Sequence, residues 1–327
     1  MVFGRNYNLK TLFNLTTSLN DMERFQNRAE LLALMEGFDG VELLVCEPDE
    51  RNIVSRERVF GVHMGYFPYW LDFWRCNETA LIQEFGSLEA CEQYYGGSTR
   101  EALLARFRGD LAAAEAYGAE YVVFHVSDAS IAESFAGTYA HSSAEVIDAT
   151  CELLNELFSD ATYRPALLLE NLWQPGLTFT DPALTRRLLD GIEYENTGFM
   201  LDTGHLFHTN EAIRTQEEGL RYIHAMLDSH GALAERIRGV HLHQSITGEY
   251  CRSFRAHPPM LKPTYEERAW QMFEHAFKVD LHRPFTCPGV RELIERIAPE
   301  YLTFEFITEN TSQHKTYLQE QRKALAK

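Results

Sequence analysis

Paired cysteines are missing from this sequence. Its six, Cys46, Cys76, Cys91, Cys151, Cys251 and Cys287, show no C-x-x-C or C-x-C spacing. Neither a thiolate zinc site nor a dithiol redox pair is signalled, and all six read as reduced thiols. Basic charge is scarce as well: 30 Lys+Arg against 48 Asp+Glu give a formal net charge of −18. Binding to a phosphate backbone depends on many Lys and Arg contacts, so this balance argues against a nucleic-acid partner. No stretch approaches the roughly eighteen uninterrupted apolar residues of a membrane span. The start, MVFGRNYNLKTLFN, lacks a charged region followed by an apolar run and small cleavage residues, so it does not read as a secretory signal. The expectation is a cytoplasmic protein with no membrane partner and a small-molecule substrate, with a homo-oligomer left open.

What is present is enough apolar residue for a large core, 45% of the chain, with 24% charged. Short apolar runs alternate with longer stretches of helical periodicity. The runs are NLKTLFNLTT (8–17), FDGVELLVCE (38–47), VFGVHMG (59–65), EYVVFHVS (120–127), PALLLENL (165–172), GFMLDTGH (198–205), RGVHLHQS (238–245) and EYLTFEFI (300–307). Between them, Leu103, Leu104, Phe107, Leu111 and Ala114 recur at helical steps behind Thr99 as N-cap. Val146, Ile147, Leu153, Leu154 and Leu157 do the same behind Ser143. Apolar runs without alternation mark strands covered on both faces, hence a parallel sheet. Eight of them alternating with helices predict an α/β fold, a (β/α)8 TIM barrel, with an open doubly wound sheet as the alternative.

The chain is read as one barrel domain over 1–327, with two connections too long for a minimal barrel. One, at 65–97, is rich in aromatics, among them Tyr66, Phe67, Tyr69, Trp70, Phe73 and Trp74; the other runs from about 245 to 288. Both follow C-terminal strand ends, the active-site face of such a barrel. The aromatic segment reads as a self-contained hydrophobic cap or as a wall on which a flat ligand stacks, with Tyr66 and Trp70 as substrate contacts.

Ionisable residues interrupt the runs near those same ends. They are His63, His125, Glu170, Asp202 with His205, His241 with His243, and Glu305. Each has an ordinary structural explanation alone: a hydrogen-bonded core histidine, an arginine partner for Glu170, a helix cap for Asp202, a solvent-facing Glu305, a surface or neighbouring role for His208 and His243. Burying an ionisable group costs several kcal/mol unless it is paired or bound to a metal. One metal cluster accounts for all of them together. Imidazole and carboxylate without thiolate suit zinc foremost, with manganese, iron or cobalt as alternatives. In KVDLHRPF (278–285), Asp280 and His282 stand two residues apart and share a face if the backbone is extended, a further candidate ligand pair.

On Glu170 in LENL, the D-x-x-H of Asp202 and His205, His241 in VHLHQS and Glu305 in the last strand, the chain resembles the xylose isomerase-like TIM-barrel superfamily (AP endonuclease family 2). His63, His125, Asp280 and His282 extend the likeness to its endonuclease IV branch. That resemblance implies three metals. The first would be held by His63, His125 and a bridging Glu170, the second by Glu170, Asp202, His241 and Glu305, the third by His205, Asp280 and His282. It implies a hydrolase of a small phosphodiester or phosphoester, with Glu170 orienting the attacking water and Arg283 steadying the developing charge. The same framework also supports a single-metal sugar isomerase or epimerase with Glu170 and Glu305 as acid and base, His63 and His125 then being substrate contacts. His243 is taken as a substrate contact beside Tyr66 and Trp70 in either case. A non-catalytic ligand-binding barrel is the third reading.

Overall fold

A computed structural model describes residues 9–327. Eight parallel strands, β1 (Lys10–Thr16), β2 (Gly40–Leu44), β3 (Val59–His63), β4 (Tyr121–His125), β5 (Ala166–Glu170), β6 (Thr197–Asp202), β7 (Ile237–Leu242) and β8 (Tyr301–Phe304), close in chain order, β1 pairing with both β2 and β8. This is the expected barrel. Six strands lie inside their apolar runs, and β6 and β7 begin one residue before theirs, at Thr197 and Ile237; Asn8, at the start of the first run, falls outside the described residues. The runs overshoot the strands because their last residues leave the sheet at the barrel mouth, where side chains turn inward.

Strand parity sorts the side chains into layers. Leu12, Tyr121, Val123, Ala166, Leu168, Met200 and Tyr301 fill the barrel as a separate apolar cluster. A large core of outward-facing strand residues and helix residues surrounds it. Gly61 makes room for that filling: a Cβ there would lie 2.1 Å from Tyr121 Cζ. Toward the C-terminal ends of the strands the same parity carries polar groups, Glu42, His63, His125, Glu170, Asp202, His241 and Thr303, with Glu305 one residue past the end of β8. The sheet itself therefore aims them at one point.

Helices follow the predicted periodicity with local differences. Thr99 is N-cap of Arg100–Tyr117, although its side chain makes no capping hydrogen bond. The helix Ser143–Ser159 is capped one residue earlier than expected: Ser142 and Glu145 form a reciprocal capping box. Ser143 Oγ instead accepts from Gly176 N at 3.2 Å. The 65–97 segment folds into the helices Leu71–Trp74, Glu78–Phe85 and Leu88–Tyr95. Tyr69, Trp70, Phe73 and Trp74 are buried there, and Phe73 stacks on Tyr95 at 3.8 Å. The second long connection carries the helices Gly248–Ala256 and Tyr265–Val279. Among the described residues, no helix is long and apolar enough to cross a membrane.

Candidate metal centre

Glu170 ends β5 at the centre of the mouth and is fully buried. Its Oε2 lies 3.1 Å from His63 Nε2 and 3.3 Å from His125 Nε2, and its Oε1 lies 3.2 Å from His241 Nδ1 and 3.3 Å from His205 Nδ1. One carboxylate thus faces two sets of imidazoles. His63 Nδ1 is 2.9 Å from the Met64 carbonyl, which only accepts, so that nitrogen carries the proton and the Nε2 lone pair points at Glu170. A lone pair facing a carboxylate is repulsive unless a cation, proton or metal, lies between them. Burial opposes charge on His63, yet the hydrogen bond and charge of Glu170 outweigh it and raise the imidazole to about 9. On His125 the balance falls the other way, burial outweighing Glu170 and lowering it.

A second set forms around His241 Nδ1, which lies 3.2 Å from Glu170, 3.4 Å from Glu305 and 3.7 Å from Asp202. The other ring nitrogen, Nε2, meets Glu42 Oε1 at 2.8 Å. Glu42 Oε2 accepts from Tyr121 Oη at 2.7 Å and Thr303 Oγ1 at 3.3 Å. A carboxylate holding one nitrogen of a ligating histidine fixes its tautomer and ring orientation. Here it turns Nδ1 toward the three acids. Asp202 does two tasks: its Oδ1 caps the helix Thr203–His208 by accepting from His205 N at 2.6 Å, and its Oδ2 accepts from His243 Nε2 at 2.8 Å. Asn171 clamps the Asp202 main chain through both its N–H and its carbonyl.

The third set joins β6, β7 and the KVDLHRPF segment. His205 Nε2 lies 3.0 Å and His282 Nδ1 3.3 Å from Asp280 Oδ2. His205 Nδ1 is 3.0 Å from the Asn171 carbonyl, which again assigns the proton to that nitrogen. Asp280 and His282 do not share the face of an extended segment as expected. Asp280 is extended, whereas His282 has φ 45°, so the pair converges through a turn. Ser245 holds that turn: its hydroxyl donates to Asp280 Oδ1 at 2.7 Å and accepts from Leu281 N at 2.8 Å. Gln244 and Arg283 exchange main-chain hydrogen bonds of 2.8 and 3.1 Å beside it.

All nine predicted ligands therefore meet, and together with His243, which was not among them, they sort into three groups. These are His63, His125 and Glu170; Glu170, Asp202, His241 and Glu305; and His205, His243, Asp280 and His282. Burial raises the cost of the charge on Glu170, but His125 and His241 hold its carboxyl well below the usual range. Asp280 is lowered likewise, burial being overcome by His282 and His205. His125 Nδ1, His243 Nδ1 and Glu305 Oε2 are buried without a hydrogen-bond partner. Ionised acids, oriented lone pairs and orphaned polar atoms in one buried volume fit divalent cations, and the imidazole and carboxylate set suits zinc, manganese, iron or cobalt.

The predicted substrate contacts fare differently. Tyr66 is 38% exposed with its ring 4.7 Å from that of His125, at the rim of the mouth. Trp70 is 3% exposed and its Nε1 donates to the Ser127 carbonyl, so its indole belongs to the cap. His243 is fully buried and stands in the third group, its ring stacked 4.1 Å from that of His282; it has no free face for a substrate. Arg283 is exposed, and its described contacts are those of its main chain. The sequence reading missed Glu42, Asn171, Ser245 and Trp173, whose ring lies 4.7 Å from that of His208. His208, left as a surface or neighbouring residue, places its Nε2 3.5 Å from Asp280 Oδ1. Glu42 was findable, being an acid at inward parity in the apolar run FDGVELLV; the others act through main-chain and loop geometry.

No curated protein matches the sequence. Among solved structures, the fold is similar to AsfvAP:AG, with 12% identity, TM-score 0.51, and 97% of this chain and 99% of the other covered. It is also similar to a D-tagatose 3-epimerase-like protein, with 17% identity, TM-score 0.49, and coverage of 97% and 98%. Endonuclease IV from Thermus thermophilus gives 18% identity, TM-score 0.48, and coverage of 97% and 99%. At these identities the likeness is one of fold. The sequence profile of the xylose isomerase-like TIM barrel matches residues 30–261, and the chain belongs to that family.

Proposed function

We propose that the chain is a metal-dependent hydrolase of a small phosphodiester or phosphoester. The observation that carries this reading is the sharing of Glu170 between two donor groups beside a third. A one-metal isomerase needs only Glu170, Asp202, His241 and Glu305 as ligands, and even with His63 and His125 as substrate contacts it leaves His205, Asp280 and His282, which converge as a third donor group, without a task. Bound there, divalent cations would polarise phosphoryl oxygens and bring the pKa of water from near 16 towards roughly 7. Glu170, presenting an oxygen to each side, orients the attacking water. Glu305, partly exposed at the mouth, faces the substrate side. Tyr66 and Trp173 wall the opening, and the packed barrel interior excludes solvent from below. The net charge of −18 favours a small substrate over a nucleic acid.

One observation supports the isomerase or epimerase reading: Glu170 and Glu305 both flank His241 Nδ1, at 3.2 and 3.4 Å, as an acid and base pair across one ion would. Elemental analysis of protein purified without chelators separates the two. Three ions per chain, with turnover on a phosphodiester panel, support the hydrolase; one ion, with exchange at a ketose carbon, overturns it.

A further inference from the structure

Large apolar side chains are exposed together on the second long connection. On the helix Tyr265–Val279, Trp270 is 67%, Phe273 58% and Phe277 55% exposed. Met260, 88% exposed, and Leu261 lie beside them: Gln271 holds the Met260 carbonyl at 3.2 Å and Lys262 N at 2.9 Å. Together these side chains expose on the order of 600 Å², above what scattered surface residues contribute and close to one partner's share of a standard interface.

The helix is seated by its other faces. His275 stacks on Phe254 at 3.7 Å, Val279 is buried, and Tyr265 packs on Phe85 at 4.5 Å. The exposed stripe is thus a presented surface. Glu266, Trp270, Phe273 and Phe277 follow one another at steps of four, three and four, the spacing of a seam that packs against another helix.

The charges choose the occupant. One flank of the seam carries Glu267 near the N-terminal end and Lys278 near the C-terminal end. Same flanks meet when two identical helices pair antiparallel about a two-fold axis, and that operation brings Glu267 of each copy toward Lys278 of the other. An anionic lipid surface or a nucleic acid would instead meet Glu266, Glu267 and Glu274 on a chain of net charge −18.

We propose that this stripe is the contact of a homodimer formed by antiparallel pairing of the helix Tyr265–Val279 with a second copy. Sedimentation velocity on the full chain tests it. The wild type sediments as a dimer. Trp270→Glu weakens association by more than about a hundredfold while leaving the circular dichroism and metal content unchanged, as befits an exposed position. Lys278→Glu weakens it at least about tenfold, and the exchanged pair Glu267→Lys with Lys278→Glu recovers it. A wild-type chain that stays monomeric at its highest soluble concentration overturns the pairing and leaves the stripe to an unlike partner. A dimer indifferent to Trp270→Glu overturns it as well. Glu267 also closes the capping box of this helix with Thr264, so the exchange is read beside Glu267→Gln, which keeps that acceptor. A dimer broken by Trp270→Glu but insensitive to both Lys278→Glu and Glu267→Gln overturns the antiparallel register.

Discussion

Glu42, on the second strand, holds His241, on the seventh, by a 2.8 Å contact from carboxylate to Nε2 at the floor of the donor cluster. The two residues are 199 positions apart, and the contact decides which nitrogen of His241 faces the acids.

Replacing Glu42 tests that relationship. Glu42→Leu removes the acceptor for Nε2, and the affinity of the ion beside His241 falls about 10- to 100-fold, the usual cost of losing such a partner. Glu42→Gln keeps an acceptor oxygen without the charge and loses less. Competition with a chromophoric chelator measures both. Equal affinities in wild type and both variants would reduce Glu42 to a packing role.

Asp280→Ala and His282→Ala each release one ion per chain, with the other ions retained, as read by elemental analysis after gel filtration. Unchanged stoichiometry in both removes the third site.

Glu170→Gln acts on two groups at once. It leaves an uncharged side chain facing both His63 and His241, so it releases two ions and lowers kcat by about a hundredfold or more. Loss of a single ion would mean that Glu170 does not bridge.

Acid stability offers a test away from the cluster. Burial, with the Arg24 charge in addition, lowers buried His314 from its ordinary 6.5 to about 4, and its Nε2 has no hydrogen-bond partner. The unfolded chain therefore binds this proton at a higher pH than the folded one. The stability tied to neutral His314 is complete above about 6.5 and is lost as pH falls from there toward 4, by on the order of 3 kcal/mol in all. Urea denaturation of chelator-treated protein across that window shows the slope. His314→Phe, beside Phe13 whose ring lies 5.1 Å away, flattens it.

Much of the site was already legible because strand parity is local. His125, Glu170 and Asp202 sit where an inward side chain at the end of an apolar run must sit, whatever the rest of the chain does. The D-x-H pair was legible as residue types but not as geometry, since its approach depends on Ser245 and on the left-handed turn at His282. The roles expected for Trp70 and His243 missed for a similar reason: a tryptophan in an aromatic loop and a histidine beyond a strand have no burial until the loop has packed.

Sequence by itself determined the barrel, the order of its strands and the kinds of donor brought to its mouth, because alternation and run length are properties of neighbouring residues. Tertiary structure alone decided that Glu42 answers to His241, that His243 joins the third group, and that the helix after residue 264 turns Trp270, Phe273 and Phe277 outward. Those outcomes rest on contacts between residues far apart in the chain, and no local pattern encodes the path that closes them.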